Sequence, residues 1–195
     1  MTPVKLNFKV YQGSTFNEVL RWESSKKVYK PITSITQAAP CVVTAVGHGL
    51  PDGWRAKITN VGGMTDINSN DTYHVITKLT ADTLEINALN SIGFKAYTSG
   101  GILEFNDPID LAGFTARMQI REKLDSSTII KELTTENSGI VIDHTNKRIV
   151  LNIVADETSL FTFSTAVYSL ELVSSGGIVT PFANGTLSLI KEVTR

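Results

Sequence analysis

"FTARMQIR", residues 114–121, decides the fold class. Phe114, Ala116, Met118 and Ile120 alternate with Arg117, Gln119 and Arg121. A period of two puts the apolar set on one side of an extended strand and the polar set on the other. A helix would scatter both sets around its circumference. "KLNFKV" (residues 5–10) repeats the device, with Leu6, Phe8 and Val10 opposite Lys5, Asn7 and Lys9.

Working outward, further strands are predicted at 16–22, 129–133, 140–143, 149–153, 168–173 and 187–190. The turn clusters "YQGS", "ENSG", "DHTNK" and "SSGG" separate them. The best helical window is "ADETSLFTF" (155–163), where Asp156 or Thr158 is expected to cap a single turn. The fold class expected is all-β. No internal repeat or low-complexity tract interrupts the pattern.

Residues 32–105 have a different texture, rich in Gly, Thr and Asn, with short strands predicted at 41–46, 56–61, 72–77, 83–86 and 101–105. Pro31 in "KVYKPITSI" and Pro108 in "EFNDPID" stand near its two borders. Joining the flanks, "TFNEVLRWESSKKVYK" to "DPIDLAGFTARMQIREK", gives strand, polar turn, strand. The expectation is therefore an antiparallel β-sandwich from residues 1–30 plus 107–195, interrupted by an inserted small β-barrel at 32–105.

Bulk chemistry narrows the function. In 195 residues, 42% hydrophobic and 19% charged content suffices for a buried core and argues against disorder. A net charge of −1 without a basic stripe argues against nucleic acid as a partner. "MTPVKLNFKVYQG" has no continuous apolar run, so no signal peptide or membrane anchor is expected. Cys41 is the single cysteine and has no disulfide partner.

Two segments resemble known phage families. "YQGSTFNEVLRW", "IDLAGFTARMQIREK", "IVLNIVADET", "VYSLELVSSGGIVTPFANGTLSL" and the terminal "EVTR" resemble the N-terminal domain of the baseplate upper protein of lactococcal phages. "VVTAVGHGLPDGWRAKITNVGGMTDINSNDTYHV", "TLEINALNS" and "AYTSGG" resemble an FCCH-like β-barrel of phage proteins, labelled after the first catalytic-cysteine half-domain of ubiquitin-activating enzymes. That module carries no catalytic cysteine, so the likeness gives Cys41 no nucleophilic role. The resemblance implies a non-enzymatic virion protein of the tail or baseplate, or a tail-fibre adaptor. Other phage virion proteins would be its partners, in a symmetric homo-oligomer without cofactors or membrane. A head-decoration or head–tail-joining protein is the alternative within the virion, and a glycan-binding module is the alternative outside that class. Because the sequence stops at "EVTR", no fibre shaft is expected within it.

His48 stands in "TAVGHGLPDGWRAKI" (44–58), among Gly47, Gly49, Pro51, Asp52 and Gly53. Imidazole suits general-base or metal chemistry, but these neighbours are the residues of tight turns. The expectation is a structural turn made by Gly47, His48, Gly49 and Gly53. His74 and His144 lie at no metal-motif spacing from it.

Gly62 and Gly63 in "VGGMTDIN" lack the GK[ST] ending of a phosphate loop and are expected as positive-φ turn glycines. Asp66, Asn68, Asn70 and Asp71 lack the order of a calcium loop. No G-x-S-x-G elbow is present, and Asp156 with Glu157 reads as a capped turn. No catalytic, metal or cofactor residue is expected. For partner contact the candidates are Trp54, expected to be exposed after its turn, and Arg117 with Arg121 on the polar strand face. Trp22 is expected as packing.

Overall fold

The computed structural model describes residues 2–69 and 72–192. Asn70, Asp71 and the last three residues of the "EVTR" motif lie outside the described residues. The chain is all-β apart from one short helix and one 3-10 turn among the described residues. It divides into two compact units: the chain up to Arg21 and from Asp110 onward, and Trp22–Ile109.

The first unit contains a six-stranded and a three-stranded sheet. The larger has the order β1 (Val4–Lys5), β16 (Val179–Ile190), β15 (Thr165–Val173), β11 (Thr115–Arg121) and β12 (Ile129–Thr134), with β2 (Phe8–Tyr11) also on β16. The smaller is β13 (Ile140–Asp143), β14 (Arg148–Ile153) and β3 (Phe16–Arg21). Alternation decides which faces meet. Ala116, Met118 and Ile120 are buried, as are Ile149, Leu151 and Ile153. Phe8 of the larger sheet meets Phe16 of the smaller edge-to-face at 5.7 Å.

The first strands differ from expectation in two ways. The strand expected over residues 5–10 is interrupted at Leu6 and Asn7, where the Asn7 side-chain oxygen accepts from the Thr186 amide and hydroxyl, although exposure still alternates as predicted. Both β1 and β2 run parallel to β16, within an otherwise antiparallel unit. The helix α1 (Ala155–Ser159) has Val154 as its N-cap, without a side-chain capping bond. Neither Asp156 nor Thr158 caps it. Thr158 sits inside the helix, and its hydroxyl donates to Ser14 O at 2.8 Å, satisfying a carbonyl of another segment.

The second unit is one seven-stranded path: β4 (Glu23–Pro31), β10 (Ser99–Pro108), β7 (Arg55–Gly62), β8 (His74–Lys78), β9 (Thr83–Ile86), β6 (Cys41–Thr44) and β5 (Ser34–Ile35). Its end strands β4 and β5 are consecutive in the chain, so the path must curl back on itself. Ile32 N–H still bonds Gly101 O, extending the β4–β10 pairing, and the next amide, Thr33, bonds Thr44 O beside β6. The half-barrel is thus joined by two residues of chain. Its core contains Trp54, Ile58, Met64, Leu84, Leu103 and Phe105.

The boundaries lie outside the expected 32–105. Residues 23–31 and 106–109 belong to the half-barrel, and "TFNEVLRWESSKKVYK" is cut at Trp22. Pro31 and Pro108 do end strands, but both strands belong to the half-barrel. Each is the last residue of its strand, β4 or β10, where a missing N–H is tolerated. Chain crossings in and out of the unit are adjacent, since Ile109 N–H donates to Trp22 O at 3.0 Å.

Candidate functional site

The turn before β7 is built around His48, which is 1% exposed. Leu50 N–H donates to His48 Nδ1 at 3.0 Å, which places the ring proton on Nε2, 3.2 Å from Thr80 O. Burial is the main cause that lowers its pKa below the usual histidine value. Both nitrogens therefore serve the loop. Asp82 Oδ1 accepts the Gly47 amide, and Asp52 Oδ1 accepts that of Lys78. Gly47, Gly49 and Gly53 have φ of 57°, 71° and 69°, the left-handed conformation that side chains resist.

Of the other two turn glycines, Gly63 has φ 78° and Gly62 does not have a positive φ. A Cβ on Gly62 would lie 3.0 Å from Ser99 Oγ, so its small size admits the neighbouring strand. Gly62 is corrected from a turn position to a close-packed strand end.

Trp54 is the clearest correction among the contact candidates. It is fully buried, and its indole N–H donates to Asn106 O at 3.0 Å. The half-barrel needs a large side chain in its core, and a backbone carbonyl meets the ring's polar edge. Trp54 is thereby corrected from an exposed contact residue to a core residue. Arg117 stays on the outer face and bonds Glu171, its cross-strand neighbour, at 2.8 Å. Arg121 is half-buried, donating to Ser126 O and to Gln119 Oε1, where it ties down the loop between β11 and β12.

Cys41 is fully buried, its thiol pKa raised by burial, and points at Thr36 O at 3.7 Å. Among the described residues, no three His, Cys, Asp or Glu side chains gather as metal ligands. No protein-family model matches the chain, and no curated protein matches it.

Two features emerge only in three dimensions. On the outer face of the half-barrel, Lys27, Arg55 and Lys57 surround the Tyr73 ring at 4.7, 5.4 and 5.7 Å. Tyr73 Oη donates to Glu104, and Arg55 forms a two-bond fork with Glu23. Burial raises the Glu104 pKa, but the Tyr73 and Lys27 bonds outweigh it and leave the pKa lowered. The cluster is internally matched, with each acid bonded to a cation or hydroxyl.

The second feature is a cleft of about 590 Å³ in the first unit, between the start of β12 and the segment after α1. Ile130, Leu160, Phe161 and Phe163 line it, with Glu122 and the Lys131–Glu157 ion pair. Beyond that pair lies a second hollow of about 330 Å³, reaching Asn137 and Asn152. "LFTF" (160–163), the local signal for this cleft, lies within the window 155–163 expected to be helical. Leu160 instead stands 77% exposed beside the cleft.

Proposed function

We propose that this chain is a non-enzymatic structural protein of a bacteriophage particle, an adaptor of the tail or baseplate that works through contacts with neighbouring virion proteins. One observation carries the reading. The half-barrel is nested between two adjacent chain crossings of a β-unit, in the order in which the two phage-like sets of motifs occur. Side chains with chemical potential support it, because His48, Arg121 and Trp54 are spent on holding turns, loops and core.

Sheet edges supply the physical logic of assembly. Among the described residues, β12 and β13 each have a strand neighbour on one side only. An open edge invites pairing, and symmetric copies or fixed partners cover such edges in an assembly.

Mass spectrometry of washed, gradient-purified particles tests the proposal. The chain is expected as a stoichiometric component, in a copy number that fits a ring or trimer. Its absence from particles that remain infective would contradict the reading.

A further inference from the structure

β12 pairs with β11 along one side, with Ala116 O accepting the Thr135 amide. In an antiparallel ladder successive residues turn their backbone groups alternately toward and away from the partner. Thr134 and Glu132 therefore face outward. So does the carbonyl of Ile130, the residue inserted by the register shift between Ile120 and Arg121, because it opposes the Lys131 amide. The chain closes part of this edge itself. The Asn137 side-chain amide accepts Thr134 N–H at 2.8 Å and donates to Glu132 O at 3.0 Å, in the manner of a neighbouring strand. Glu132 N–H and Ile130 O are the outward groups left along the cleft.

From this edge and the cleft beside it, we propose that β12 accepts an extended segment of another polypeptide, one in which apolar residues alternate with lysine or arginine. This deepens the contact-module reading and rests on it. Strand addition requires backbone groups to pair and pockets for alternate side chains. Ile130 O and Glu132 N–H supply the first. Ile130, Leu160, Phe161 and Phe163 supply the second, in a cleft of about 590 Å³.

Charge selects the occupant. Of the three charged residues lining the cleft, Lys131 is neutralised by Glu157, which leaves the Glu122 carboxylate as the excess charge. A cationic side chain is the complement. An acidic strand would bring like charges together. The guarded upper half of the edge limits the register, since Asn137 occupies the place of a further strand residue.

The test is nuclear magnetic resonance titration of the full chain with the synthetic peptide TKVKFKVT. Saturable shifts confined to residues 129–132 and 157–163 are expected. Binding should weaken about tenfold for TEVEFEVT, and about fivefold in the Glu122→Lys variant, a substitution at an exposed position. The peptide TKVKPKVT, which lacks a backbone donor at its centre, should not saturate. No saturable binding of TKVKFKVT, equal binding of TEVEFEVT, or shifts elsewhere would overturn the proposal. Failure here with the chain abundant in particles leaves the virion reading standing; binding by a chain absent from particles refutes that reading alone.

Discussion

Gly185→Ala is expected to strip the first strands from the larger sheet. A Cβ at this position in β16 would stand 1.7 Å from the backbone oxygen of Leu6, far inside contact distance. Backbone on both sides leaves no flexible tip to yield, so β1 and the link to β2 must move. With them would go the Leu6 amide bond to Asn184 O, the Tyr168 hydroxyl bond to Leu6 O and the Asn7 bonds to Thr186. Phe8 and Val10 would lose their burial, worth about 1.5–3 kcal/mol each. A loss of about 4–7 kcal/mol follows once about 1 kcal/mol is added for the bonds. Gly177→Ala is the control: φ is 77° there but nothing lies within 4 Å, so only local strain of about 1 kcal/mol applies. Urea denaturation and amide exchange at residues 6–11 measure both. An alanine variant at 185 with unchanged stability and protection would mean that the close approach is wrong.

Trp54→Ala should cost about 3–5 kcal/mol, the range for removing a large aromatic from a packed core. The loss belongs to the half-barrel, because Trp54 packs in the cluster with Ile58, Met64 and Phe105. Trp54→Phe separates the two roles of the ring. It keeps most of the apolar volume and removes the donor to Asn106 O, so about 1–2 kcal/mol is expected. Denaturant curves followed by circular dichroism give the comparison. If both substitutions left stability untouched while weakening a partner contact, the tryptophan would be a surface anchor after all.

Much of the fold was written in period-two alternation. Residues 114–121 show it cleanly, and the strand 140–143 has the bounds its pattern predicts. Local patterns do not reveal which strands pair. The parallel placement of residues 4–11 on β16 depends on Gly185, far away in sequence. The unit boundary failed for a related reason. A proline ends a strand without saying which unit holds it, and β4 belongs to the half-barrel through its long-range partner β10.

Sites divide in the same way. The His48 turn was legible because glycine and aspartate neighbours carry a local conformational meaning. Trp54 was misplaced because the turn before it says nothing about whether the next side chain points into a core. Edge exposure at β12 was invisible, since the capping role of Asn137 exists only once the strand is an edge.

Excision of Trp22–Ile109, with Arg21 joined to Asp110 by a short Gly-Ser linker, tests the nested two-unit account most directly. The adjacent chain crossings at Trp22 and Ile109 require little bridging. The remaining chain should be soluble, disperse its amide resonances as a β-protein and unfold in a single cooperative transition. An insoluble or molten product, while the intact chain folds normally, would contradict the account.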